Sequence, residues 1–307
     1  MNSLSPSAAA RARYALRYTL PAVLTCAALI ALWHDPMGRA LLEFLLPWEF
    51  SPTVIGITLL LLVLYSRGLW LALRAGEHIV FWSPAAYYLG VLLLYVSLQS
   101  HVDYYAEHMF YIHRLQHLVL HHLGPFLLAL AAPIPLLRRG TPQAWLSAWL
   151  DPFFQSRTVR AVSAFISHPV VAPTLFLGGI GIWLLPGLHF DAMLSVPLNK
   201  LMNWSMLLDG LPFWWLILDR RPAPPARLGY GGRILMMWFI MIPQIVLGAV
   251  ITLSRHDLYP VYDLCGRAFA LTPIQDQQIG GLIIWIPASM MSVIASLIVI
   301  SFYRQER

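Results

Sequence analysis

Between residues 101 and 122 the chain reads HVDYYAEHMFYIHRLQHLVLHH, placing six of its 11 histidines (His101, His108, His113, His117, His121 and His122) in one short stretch. Imidazole ligates copper, zinc and iron and exchanges protons near neutral pH, and a thioether such as that of Met109 selects Cu(I). At about 100° per residue an α-helix sets His117 ~40° and His121 ~80° round from His113, with Gln116 ~60° the other way, so these side chains form one polar stripe. His113 and His121 stand ~12 Å apart along such a helix, whereas a metal lies ~2 Å from each ligating nitrogen. One ion therefore engages an adjacent pair, His113 with His117 or His117 with His121. His101, His108 and Met109 come before the stripe and are candidate ligands at its mouth.

What must position this stripe is a membrane fold. The 307 residues are 59% hydrophobic and only 11% charged, with a mean hydropathy of +0.66, more apolar side chain than one globular core can hide. Apolar runs recur at about 18–33, 53–73, 84–99, 108–131, 169–186, 198–218, 233–253 and 278–303, near the ~20 residues that a helix needs to cross a bilayer. The expectation is all-α: a polytopic helical bundle of about eight spans forming a single domain over 18–307, after a basic segment at 1–17. The runs do not alternate with period two, which argues against a membrane β-barrel.

Charge gives the orientation. With eight spans, most of the 20 Lys and Arg fall on the side of the two termini, leaving Arg39, Lys200, Arg255 and Arg267 opposite and Arg114 inside the fourth span. Both termini are therefore expected in the cytoplasm. The +6 net charge suits anionic lipid; nucleic acid would want one contiguous basic face, and none is expected as a partner. In the loop 132–168, Trp145, Leu146, Trp149, Leu150, Phe153 and Phe154 recur at helical spacing ahead of Arg157 and Arg160, which predicts an amphipathic helix lying in the lipid interface. The N-terminal MNSLSPSAAARARYALRYTL is charged like the start of a secretory signal, but the apolar run after it ends at Trp33 without a small-residue cleavage pattern, so an uncleaved first helix is expected. Cys26 and Cys265 suggest no disulfide framework.

A lone membrane histidine usually hydrogen-bonds across a helix interface, worth about 0.6–2 kcal/mol, and that is the reading for His78, His168 and His189. A row of them either packs in the same way, at a desolvation cost that Ser or Thr would lessen, or marks a functional path for a metal or protons. Asp209, expected near mid-membrane, needs a partner such as Arg114, His117 or His121. Asp276 either caps its own helix or orients a ligand histidine.

The run IHRLQHLVLHHLGPFLLALAAP, with its H-x-x-Q-H core at His113, Gln116 and His117, resembles the signature helix of the CtaG-like family of cytochrome c oxidase assembly factors. DQQIGGLIIWIP at 276–287 is similar to that family's last helix, and DGLPFWW at 209–215 to another of its segments. The resemblance covers the chain from about residue 50 to its end. It implies a multi-pass protein of the bacterial inner membrane, a chaperone of respiratory-chain biogenesis that handles copper for a haem-copper oxidase and works with oxidase subunits or other assembly proteins. Many members have a His or Glu-His pair where this chain has Asn203, Trp204 and Ser205, so further ligands would come from His101, His108, Met109 or His256.

Three function classes compete. A copper-handling assembly factor, not an enzyme, uses His113 and His117 as ligands with Gln116, Arg114, Asp209 and Asp276 around them. A proton-coupled or metal transporter uses the same stripe with Asp209 as a relay. A b-type haem oxidoreductase needs axial histidines on two facing spans, and only the fourth span has them in its interior. Hydrolase motifs such as H-E-x-x-H and G-x-S-x-G are absent from the sequence.

Overall fold

The computed structural model describes residues 34–306. The described residues are 80% helix, with no strand among them. The expected first span, Cys26 and the basic segment 1–17 lie outside them. Contacts divide the chain between Pro47 and Trp48. In the first unit, α1 (Pro36–Leu45) begins at an Asp35 cap, whose Oδ2 accepts from Gly38 N at 2.6 Å, with Pro36 in the first turn.

The second unit holds α2 (Pro52–Arg74), α3 (Trp82–Gln99), α4 (His101–His108), α5 (Phe110–Ala131), α6 (Ile134–Gly140), α7 (143–155), α8 (Arg157–Ile166), α9 (Val171–Trp183), α10 (Pro186–Leu194), α11 (Val196–Ile217), α12 (Tyr230–Leu253), α13 (Val261–Cys265) and α14 (Pro273–Glu306). All seven of the expected apolar runs inside the described residues are helical. By length and apolarity α2, α12 and α14 can each cross a bilayer, and six crossings result if the bent pairs α3–α4, α5–α6 and α8–α9 each make one. Seven of the eight expected spans fall inside the described residues, and the one without a counterpart among these six crossings is α11. Bends of 55°, 71° and 67° interrupt the three pairs, and α11 carries Lys200 and Asp209 in its length.

The interfacial helix also differs in detail. It is two segments, α7 and α8, separated at Ser156, whose hydroxyl caps α8 by accepting from Val159 N. Trp145, Trp149, Phe153 and Phe154 are exposed on α7, and Arg157 and Arg160 on α8, the distribution an interface-lying element requires.

Between helices in lipid the tails are as apolar as leucine, so association rests on close packing and interhelical hydrogen bonds. The main core gathers Phe110, Phe176, Met202, Phe213, Trp214 and Tyr262, all fully buried. A smaller core has Tyr65 of α2 stacked on Tyr87 of α3, ring centroids 3.7 Å apart. α12 and α14 pack most extensively, and α5 lies against α14. Gly280 permits that approach, because a Cβ there would collide with the Phe110 ring.

One carboxylate ties the start of α5 to this frame. Thr272 and Gln275 cap α14 reciprocally: Gln275 Oε1 accepts from Thr272 N at 3.0 Å, and Thr272 Oγ1 accepts from Gln275 N at 3.3 Å. That leaves Asp276 to cap α5 instead of its own helix. Its oxygens accept from Phe110 N at 3.0 Å and Tyr111 N at 2.8 Å, and it pairs with Arg267, which also binds Asp263 at 2.8 Å. Asp276 is fully buried. Asp276→Ala strands two amides and the Arg267 guanidinium, and should lower the unfolding free energy by roughly 3–5 kcal/mol, measured by denaturation of the purified protein in detergent. A loss under about 1 kcal/mol would show that this anchor is dispensable.

Candidate functional site

α5 faces the bundle with His113, Gln116, His117 and His121 buried, while Leu115 on its other side is exposed. The stripe therefore points inward, as its periodicity predicts. His113 and His117 lie one turn apart with ring centroids 4.3 Å from each other.

The helix does not continue regularly past His117. Residues Leu118–Leu123 form a π turn, in which Gly124 N bonds to Val119 O five residues back. Pro125 follows and has no N–H to give to the carbonyl of His121. Trp214 Nε1 of α11 donates to that carbonyl instead, at 3.2 Å. His121 stacks on Phe176 at 3.9 Å and has His122 beside it at 4.9 Å. Ring contacts thus pair His113 with His117 and His121 with His122, the second pair lying within the π turn.

Hydrogen bonds assign the ring nitrogens, since a nitrogen facing an oxygen acceptor carries the proton and leaves the other with its lone pair. His113 Nδ1 faces Ala106 O at 3.3 Å, which leaves Nε2 as the lone pair. His117 Nε2 faces Asn203 Oδ1 at 3.1 Å, and Asn203 Nδ2 in turn donates to Asn199 Oδ1 at 3.2 Å, so the lone pair of His117 is on Nδ1. Both His113 Nε2 and His117 Nδ1 are buried and meet no hydrogen-bonding group of the protein. His121 Nε2 lies 3.0 Å from Asp209 Oδ1 but is not aligned for a hydrogen bond, so the contact is electrostatic. Gly179 makes room for that carboxylate: a Cβ there would collide with it.

The other expected site residues take different places. Gln116 Nε2 donates to Ser97 O at 2.7 Å and Asp103 Oδ1 at 2.6 Å, fastening α5 to α3 and α4 and touching no ring. Arg114 does not pair with Asp209; its guanidinium sits 5.1 Å from the Phe110 ring centroid. His108 Nδ1 is 2.7 Å from Tyr104 O, His101 lies beside Trp48 at 5.2 Å, and Met109 is the buried N-cap of α5. His101 and His108 do not join the His113–His117 pair in a group of three. Among the described residues no three His, Cys, Asp or Glu side chains form a group able to cage a metal.

His189 fits the single-histidine reading. Its ring lies 5.1 Å from that of His113, with Nδ1 on Trp183 O at 3.2 Å and Nε2 on Tyr262 Oη at 3.0 Å, so both nitrogens are committed. Asn203, Met206 and Gln244 are the polar or soft groups near the histidines that spacing within α5 does not reveal. Gln244 had a sequence signal: it is a lone amide in the apolar run of α12.

With this geometry in view, the relatives are informative. The sequence profile of the cytochrome c oxidase caa3 assembly factor family, Caa3_CtaG, matches residues 63–305. The chain belongs to that family. Curated relatives include an uncharacterized protein of Mycobacterium leprae, 28% identical over 262 residues, 81% of this chain and 38% of that protein. Another, from Mycobacterium bovis, is 28% identical over 284 residues, 89% of this chain and 42% of the other. The chain thus spans about two fifths of the length of the curated relatives it matches. No solved structure matches.

In this caa3 assembly factor family member, burial, with the Arg114 charge nearby, lowers the pKa of His189 to about 3 from its ordinary 6.5. A histidine depressed in the folded state is neutral there while the unfolded chain takes up its proton, so stability is full above about pH 6.5 and falls as pH drops toward 3. From pH 7 to pH 5 the loss owed to this ring is about 2 kcal/mol. Unfolding measured against pH should be less steep in His189→Gln than in the wild type; equal slopes would remove His189 as a source.

Proposed function

We propose that the protein is a multi-pass bacterial inner-membrane assembly factor for a haem-copper cytochrome c oxidase, carrying copper as cargo on His113 and His117. Family membership supports the oxidase as client. The carrying observation for the cargo is the pair of adjacent imidazoles, 4.3 Å apart, whose lone pairs on His113 Nε2 and His117 Nδ1 are buried and unpartnered. A buried lone pair without a donor is costly, and two that neighbour each other suit a soft, low-coordinate cation such as Cu(I). Ala106 O and Asn203 Oδ1 hold the opposite ring nitrogens, the usual arrangement behind ligating histidines. Two ligands hold weakly enough to hand the ion on, so capture and release suffice and no catalytic step is required. The topology that suits this role has both termini in the cytoplasm and the N-terminal end of α5 toward the periplasm.

A proton-coupled or metal transporter is the second reading, and the His121–Asp209 contact, 3.0 Å across two helices, favours it. In the purified full chain, Cu(I) titrated against a chelator should bind at one equivalent in the wild type, and that equivalent should be lost in the His113→Ala, His117→Ala double variant. Unchanged stoichiometry would refute the ligand assignment. Copper flux into proteoliposomes would move the weight to transport.

A further inference from the structure

Beside His117, helices α5, α9, α11, α12 and α14 line a partly open cavity of about 30 Å³, with Arg114, His117, His121, Met206, Gln244 and Ile284 among its walls. Two of its walls carry stranded hydrogen-bonding groups. Arg114 is 3% exposed and Gln244 1%, yet Nε and Nη2 of the arginine and both amide atoms of the glutamine meet no hydrogen-bonding group of the protein. A guanidinium keeps its charge in any protein environment. Of the three carboxylates on these helices, Asp209 lies against His121, Asp276 is engaged with Arg267 and the first amides of α5, and Glu306 is the last residue of α14. Arg114 is thus a buried cation without a counter-charge, a condition that proteins relieve with an ion of opposite sign.

We propose that this cavity binds a small monovalent anion of halide size, held by the Arg114 guanidinium and the Gln244 amide N–H. The donors present are Nε and Nη2 of arginine and Nε2 of glutamine, and charge-assisted bonds of this kind are the strong ones. Water satisfies donors but leaves the charge uncancelled. The space takes more than a single water-sized body and so has room for chloride or bromide. Cancelling the charge next to His117 would also lessen the repulsion that a cation on that ring meets, but the anion site stands whether or not copper binds.

The test uses the full chain purified in detergent with a metal chelator present, so that it is independent of the copper reading. Unfolding is followed by tryptophan fluorescence while chloride replaces gluconate at constant ionic strength. The expected result is a saturable rise in midpoint with chloride and with bromide. Gln244→Leu should weaken the apparent chloride affinity by roughly tenfold, the loss of one hydrogen bond to an ion, and Arg114→Met should abolish the response. Should Arg114→Met fail to fold, Gln244→Leu carries the comparison. Identical wild-type midpoints in chloride and gluconate overturn the proposal, as does a chloride response unchanged in Gln244→Leu.

Discussion

Everything about α5 follows from the need to satisfy the polar groups of a helix that water does not reach. Its first amides go to Asp276 of α14, its Gln116 side chain to Ser97 O of α3 and Asp103 of α4, and the carbonyl that Pro125 leaves without a donor to Trp214 of α11. In lipid these bonds act where apolar attraction between helices is weak. They fix the position and rotation of α5 from three sides, and that rotation decides which way the imidazoles face.

Once the helix is fixed, the rings are sorted by what each nitrogen meets. A ring bonded at both nitrogens, as His189 is to Trp183 O and Tyr262 Oη, has nothing left to offer a ligand. A ring bonded at one, as His113 and His117 are, presents the other as a base. Burial is nearly equal for all three. Hydrogen bonding, and not depth, separates the structural histidine from the candidate ligands.

The i, i+4 relation of His113 and His117 was legible because it falls within one regular turn, and the inward face of the stripe was legible because its opposite side is apolar. The fate of His121 was not: nothing in LVLHHLGP states that the turn widens, although Pro125 four residues on marks where a carbonyl must find another donor. Asp276 sits four residues into α14 and reads as that helix's own acidic first turn. Only the packing of α14 on α5, at Gly280, brings its carboxylate to Phe110 and Tyr111. Gln116 was legible as part of the stripe but not in its role, since its partners come from two other helices. The seven apolar runs within the described residues show themselves as helices, yet bends of 55° to 71° are set by breaks at Ser100, Ala132–Pro133 and the segment after Ile166, which run length does not report.

Asn203 is the α11 side chain that meets the His117 ring, and its geometry decides which nitrogen of that ring is left free. An imidazole there would bring a donor nitrogen toward His117 from α11 and raise the number of ligands. The asparagine instead gives Oδ1 to His117 Nε2 and passes its own N–H to Asn199, so the orientation of its amide is set by a second bond. It thereby locks the His117 proton on Nε2 and keeps the lone pair on Nδ1. The amide thus does for His117 what Ala106 O does for His113: it fixes one ring nitrogen as the donor and leaves the other facing no protein group.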